Sequence, residues 1–279
     1  MGHLWGVRLH LLAALLTACL AVSISVMASM TEAMAGAWTL GQGTGQIIMT
    51  TGRKIAPVSA YFSGLPEKDS NTAQILVEYG VTDRWTLGAM VQSDISTTHL
   101  ETSELRAGAH LRHRIWQGRQ GDVVSAQLGF AAPIERWIIG EELANGLRHS
   151  VPELHLRALY GRGWEWWLGN SFISTEGGFH WRGEGAANEL HFDTTAGHEA
   201  WKGVLGLLGI HSTMPMEAGS KNSLKLAPSI AWTIWPRIGR NDMKPEGKVN
   251  PNTVQLGISW DALNPRDGLG AQISVWRRF

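Results

Sequence analysis

Arg106, His110, Arg112 and Arg114 fall at alternate positions of one extended stretch, with Leu105, Ala107, Ala109 and Leu111 between the first of them. Glu153, His155 and Arg157 alternate in the same way with Leu154, Leu156, Ala158 and Tyr160. Glu189, His191 and Asp193 alternate with Leu190 and Phe192. Glu78, Asp94 and Lys225 join them on the assigned phases. In a strand successive side chains point to opposite faces, so these titratable groups share one face, away from an apolar one. Carboxylates, imidazoles and guanidiniums so grouped can do three things. They can catalyse, they can hold a metal, or they can line a polar interior.

Catalysis by an activated serine needs hydroxyl and imidazole on one strand face, which His-x-Ser spacing supplies. The chain has His149-Ser150 and His211-Ser212, which place each pair on opposite faces, and no His-x-Ser. A metal set of His110, His191 and Asp193 suits transition-metal donors but would have to converge from separate strands. There is no P-loop, no GxGxxG after a strand and no EF-hand pattern. Gly41-Gln42-Gly43-Thr44-Gly45 precedes a strand and not a helix, so it is no phosphate cradle. No catalytic residue, metal or cofactor is expected. The remaining reading is a polar lining, either a wet pathway or a plug in which unlike charges pair.

Twelve strands would position these residues: 42–53, 72–81, 84–95, 103–116, 122–133, 150–161, 165–176, 188–198, 203–214, 223–235, 252–262 and 268–279. Most run about 10 to 14 residues, where soluble strands average about 5–6 and a tilted bilayer-crossing strand needs about 9–11. The segments 165–176 and 203–214 alternate least well. Composition agrees: 44% hydrophobic residues with 33 Gly and 14 Trp is too apolar for disorder and fits strands joined by Gly-rich turns. The formal net charge is zero, with 24 basic and 24 acidic residues, so no basic field attracts nucleic acid.

Residues 1–35 read as a secretory signal. Arg8 precedes the apolar run Leu11 to Val26, and Ala33-Met34-Ala35 is a small-x-small cleavage site, so the mature domain, 36–279, begins near Gly36. A membrane anchor is the alternative reading of that run. Leu16-Thr17-Ala18-Cys19 is a second alternative, a lipobox. Cys19 is the single cysteine, so cleavage after Ala35 leaves no disulfide or thiolate metal site. Beyond the signal no run of about 18 apolar residues occurs, and no further membrane helix is expected.

The final strand, Gly268 to Phe279, puts Leu269, Ala271, Ile273, Val275 and Phe279 on one face, with Gln272, Ser274, Trp276 and Arg278 opposite. It resembles the C-terminal strand of bacterial outer-membrane β-barrels, which ends on an aromatic residue read by the barrel-assembly machinery. Arg277 departs from the usual apolar residue there. The resemblance implies an all-β fold: a transmembrane antiparallel barrel of about 12 strands in the cell outer membrane, with Phe279 as insertion signal. Its partners would be outer-membrane lipid, the assembly machinery and a small-molecule solute. Ala37-Trp38-Thr39-Leu40 with its Gly-rich entry strand, and Tyr79-Gly80-Val81-Thr82-Asp83-Arg84, are similar to the MetA-pathway-of-phenol-degradation type of barrel. That likeness implies transport of small, often aromatic, molecules and carries over no binding residue.

Closure is required in lipid, because an open edge leaves backbone groups unpaired. If the first strand runs outward, Lys54–Asn71, Pro133–His149 and Gly177–Ala187 are long outer loops, and Thr82-Asp83, Gly161-Arg162-Gly163 and Glu199–Lys202 are tight inner turns. Arg237–Pro251 is long and Asn264–Asp267 short against that rule. Trp38, Trp85, Trp116, Trp164, Trp166, Trp167, Trp201 and Trp235 fall near inner strand ends, where an aromatic girdle would lie. The function expected is a passive pore or small-solute transporter. A structural or adhesive barrel with a closed lumen, an outer-membrane lipid hydrolase and a soluble secreted β-sandwich are the alternatives.

Overall fold

A computed structural model describes residues 36–55, 69–96, 104–119, 121–134, 151–166, 169–183, 186–201, 203–217, 219–234, 252–265 and 268–279. Among them run twelve strands. They are β1 (Gly45–Ile55), β2 (Ser70–Thr82), β3 (Trp85–Ser96), β4 (Glu104–Gln117), β5 (Val123–Pro133) and β6 (Glu153–Trp166), then β7 (Gly169–Arg182), β8 (Glu189–Trp201), β9 (Val204–Pro215), β10 (Ser223–Ile234), β11 (Asn252–Asp261) and β12 (Leu269–Arg278). Each pairs antiparallel with its neighbours in sequence, and β1 pairs with β12, so the sheet closes. The closing register runs from Gln46↔Arg278 to Ile55↔Leu269. Gly45 and Phe279 finish the seam by exchanging amides at 2.8 and 2.9 Å. A Cβ at Gly45 would collide with the Phe279 ring, so the glycine admits the terminal aromatic.

Alternation decides which face is which. Ile75, Val77, Tyr79, Leu87, Val91, Leu111, Leu128, Phe130, Leu154, Leu156 and Ile258 all stand exposed on the outer wall. Arg112, Glu78, Thr86, Ser125 and Ser274 are buried on the inner wall. An apolar exterior of this extent around a polar interior is a transmembrane barrel, whose closure leaves no open sheet edge in lipid. The stacked sheets of a soluble sandwich are thereby excluded. Both ends of the barrel chain, Gly45 and Phe279, lie at one rim, called inner here.

Several boundaries differ from the sequence reading. Gly161-Arg162-Gly163, expected as a turn, is the interior of β6, and residues 177–182, expected as loop, complete β7. Both glycines that misled the reading serve close approach instead. A Cβ at Gly161 would stand 2.7 Å from the Trp38 ring, and one at Gly178 would stand 2.8 Å from Cγ of Arg157. Trp85, Trp116, Trp164 and Trp201 do face outward near the inner rim. Trp38 does not: it lies inside the barrel. Residues 1–35 with Cys19, most of the loops 54–71 and 133–149, residues 235–251, and the Trp167 and Trp235 positions lie outside the described residues.

Candidate functional site

The lumen is built from alternate residues of all twelve strands, and its inner end is filled by the chain segment that precedes β1. Ala37 is fully buried there and packs with Val123 and Leu159, with Trp38 against them. Ser125 donates its hydroxyl to the Ala37 carbonyl. Leu40 N donates to Thr86 Oγ1 at 2.9 Å, and Thr39 Oγ1 donates to the Asp83 carbonyl at 2.7 Å. The Trp38 indole meets Phe172 edge-on, centroids 6.2 Å apart at 88°. Beside this segment Ile48 and Leu76 form a second apolar cluster with Met90 and Trp276.

Above the segment stands a saturated charge network. Arg112 Nη2 donates to Glu78 Oε1 at 2.8 Å, and both side chains are 1% exposed. Arg112 Nε donates to Gln127 Oε1 at 3.0 Å, and its Nη1 donates to the Trp38 carbonyl at 3.2 Å. Glu78 is also met by His110 Nε2 at 2.9 Å and by the Gln46 amide. A buried carboxylate is tolerable only with such partners. One guanidinium thus holds Glu78, the wall at β5 and the inserted segment together.

Toward the outer mouth the same residue types meet differently. Arg106 Nη2 lies 3.0 Å and Arg182 Nε 2.9 Å from Glu153 Oε1, and Arg182 Nη1 lies 2.7 Å from Glu189 Oε1. The other oxygens face imidazoles: Glu153 Oε2 to His155 Nε2 at 3.0 Å, and Glu189 Oε2 to His191 Nε2 at 2.9 Å. Between these imidazoles lies His180, stacked on His155 at 3.9 Å and on His191 at 3.7 Å. Arg157 bridges Glu176 (2.8 Å) and His180 Nε2 (3.2 Å), and His211 meets Asp193 at 3.1 Å.

Half-way round the barrel the wall is uncharged at mid-height. Thr50, Ser229, Gln255, Gln272 and Ser274 are buried there, with Gln255 donating to Ser229 at 2.7 Å. At mid-height the lumen is therefore charged along β4 and β6–β8, and lined by amides and hydroxyls along β10–β12 and β1, where Lys225 and Asp261 stand at the outer rim.

All of Arg106, His110, Arg112, Arg114, Glu153, His155, Arg157, Glu189, His191, Asp193 and Lys225 stand on the inward face. Registers Arg114↔Ser125 and Lys225↔His211 place the two for which no side-chain partner is described above, and Lys225 is exposed near the outer rim. The structure does not bring His110 to His191: one sits on Glu78, the other in the mouth. Sequence reasoning missed Gln46, Glu176, His180, Arg182 and His211. His180 and Arg182 were lost with the misplaced β7, and parity along a longer strand would have found them; Glu176 ended the expected strand 165–176, whose weak alternation assigned it no face. A Ser–His contact was also missed because it crosses strands: Ser171 Oγ and His198 Nδ1 are 2.9 Å apart. It faces outward, and its flanking backbone amides belong to the β7 ladders, so they offer no oxyanion site.

No protein-family model matches the chain, and no curated protein matches it by sequence. Solved structures do. An outer-membrane channel from Pseudomonas putida F1 aligns with a TM-score of 0.55 at 12% identity, covering 90% of this chain and 100% of that one. The transport unit of the autotransporter AIDA-I from Escherichia coli aligns at 0.40, with 11% identity over 89% and 91% of the two chains. OpdK of Pseudomonas aeruginosa, solved with vanillate, aligns at 0.37, with 12% identity over 76% and 56%. The first of these shows the fold: the chain has the architecture of a bacterial outer-membrane β-barrel. With its apolar exterior, that architecture belongs in the outer membrane.

Proposed function

We propose that the protein is a small-solute transporter of the outer membrane whose passage is controlled at its inner end by residues 36–40. The observation that carries this is the inserted segment itself. It reaches into the lumen, yet most of its polar ties are single hydrogen bonds, to Ser125, Thr86, Asp83 and Arg112. A barrel built only for rigidity has no use for a wall of charges facing a wall of amides across its interior. Charged groups that face away from lipid line pathways or internal polar cores, and here the outer half has the first character and the inner half the second. The likeness of the Ala37-Trp38-Thr39-Leu40 entry to the MetA-pathway type of barrel supports a small organic solute, and Trp38 and Phe172 supply aromatic faces at the narrow end.

Planar-bilayer recording tests this reading. The purified protein is expected to give small, infrequent conductance steps, and deletion of residues 37–40 is expected to give larger and longer ones. A barrel that stays silent in both forms is a structural one, the reading that a closed lumen with functional outer loops would represent. Solute uptake into proteoliposomes, with Trp38→Ala beside the unaltered chain, identifies whether aromatic or aliphatic solutes pass.

A further inference from the structure

The outer mouth contains donors that solute passage does not call for. We propose that His155, His180 and His191, with Glu153 and Glu189, form a binding site for one divalent transition-metal cation of the zinc and copper class. Ligand atoms of Glu153, His155 and His180 lie within 4.8 Å of one another, and so do those of His180, Glu189 and His191. His180 belongs to both sets. Donors around a tetrahedral zinc at about 2.0–2.1 Å stand roughly 3.4 Å apart, so small side-chain rotations close either set. Strand pairing fixes this arrangement: the registers His155↔His180, Gly178↔His191 and His180↔Glu189 place the three imidazoles on adjacent strands, His155 level with His180 and His191 two residues deeper.

Three further observations point to a cation. Arginines hold Oε1 of both glutamates, so each Oε2 is turned toward an imidazole. Such outer contacts orient metal ligands. Next, Arg157 donates to His180 Nε2, and a guanidinium can only donate, so that nitrogen presents a lone pair. A cation would take the place of the guanidinium, which keeps Glu176 at 2.8 Å. Finally, the charges do not balance. On the outer half of β4 to β8, Glu104, Glu153, Glu176, Glu189 and Asp193 face Arg106, Arg157 and Arg182, an excess of two negative charges; Arg112 and Arg114 of β4 stand further in, with Arg112 held by Glu78. β5 brings Gly129 and Ala131 to this wall and adds none, and Lys225 of β10 stands at the rim with Asp261 as its register partner. One divalent ion meets the excess, and imidazole–carboxylate donors select zinc, copper or nickel over calcium or magnesium.

The inference does not depend on conduction, because its test reads binding alone. Tag-free full-length protein, folded in detergent and stripped with chelator, is titrated with Cu²⁺ and followed by electron paramagnetic resonance, then with Zn²⁺ in competition. The expected result is one ion per barrel with superhyperfine coupling to two or more nitrogens. His180→Gln is expected to weaken binding by roughly tenfold or more, and the outward His198→Gln to leave it unchanged. Heat-modifiable migration on a gel verifies that each variant is folded; if His180→Gln does not fold, the His155→Gln and His191→Gln variants carry the test. Absence of saturable binding, or binding that folded mouth variants retain at full strength, overturns the site.

Discussion

At the inner end of the lumen one carboxylate, Glu78, is met by Arg112, His110 and Gln46. At the outer mouth two carboxylates, Glu153 and Glu189, share Arg182 and face a stack of three imidazoles. The amino acids are the same, and so is the device of alternation that brings them inward. What differs is saturation. The inner set is a lock: its one buried carboxylate and one buried guanidinium are each other's charge partner, so removing either leaves the other buried without its counter-charge. The outer set is a basin: it holds charge in excess and donors that can be reassigned. Position in the barrel explains the difference. Except after β10, the inner rim is joined by short connections such as residues 83–84 and 118–122, and it is entered by the chain itself, whereas the outer rim carries the long connections after β1 and β5.

The largest expected effect breaks the lock. Arg112→Ala leaves Glu78 buried opposite no cation and frees the Trp38 carbonyl, and losing one partner of a buried pair typically costs about 3–5 kcal/mol. Denaturant unfolding in detergent should show that loss. The matching change at the mouth, Arg182→Ala, should cost about 1–3 kcal/mol, the range for hydrogen bonds to charged groups in a less enclosed setting. Equal losses at the two ends would end the distinction between them.

Next in size is the conductance of a lumen whose inner segment has been loosened. Gly161→Val puts a side chain where the Trp38 indole lies, so the indole must leave. Channel steps should then grow while the outer mouth is untouched. Unaltered steps in a folded Gly161→Val barrel would mean that residues 36–40 do not limit passage.

A smaller effect sharpens the outer half. Replacing both Glu153 and Glu189 by Gln removes two negative charges from the mouth and leaves the Arg106 and Arg182 guanidiniums facing neutral amides. Rings and clusters of charge set the sign preference of a pore, so the reversal potential under a salt gradient should move toward anions. Glu78→Gln, deep in the inner set, should change stability more than selectivity. Opposite outcomes in the two variants would exchange the roles assigned to the two ends.

How much of this could be seen in the chain alone depends on the period of the signal. Alternation is strong in β4, β6 and β8, where Leu, Ala and Phe oppose Arg, His and Glu, so Arg106, His155 and Asp193 were legible as inward residues without coordinates. The final strand was legible for the same reason. β7 was not, because Gly161-Arg162-Gly163 and Gly177-Gly178 look like turn punctuation. That error displaced His180 and Arg182 from the lumen and hid the middle member of the imidazole stack. Pairing was illegible throughout. Glu78 and Arg112 lie 34 residues apart, and only a three-dimensional register makes them partners. The inward turn of Trp38 was hidden for a related reason: an indole near a strand end suits a membrane boundary and a packed interior equally well.

The smallest prediction comes from the glycine triplet that caused the misreading. Gly161 and Gly163 both point inward from β6, two residues apart, and the sequence cannot tell them apart. The structure can. A Cβ at Gly161 meets three atoms of the Trp38 ring within 2.9 Å, whereas a Cβ at Gly163 meets only the Ser171 carbonyl, at 3.9 Å. Gly163→Ala therefore adds a methyl to open space in an ordinary strand conformation and narrows the unfolded ensemble, a change worth about 0.4–1 kcal/mol in favour of folding. Gly161→Ala must move an indole wedged against Phe172, Val123 and Leu159, and overpacking of that kind costs about 1–3 kcal/mol. Two alanines two residues apart on one wall should thus shift the unfolding midpoint in opposite directions. If both are neutral, Trp38 is not held against β6, and the inner end of the lumen is as loosely organised as the outer.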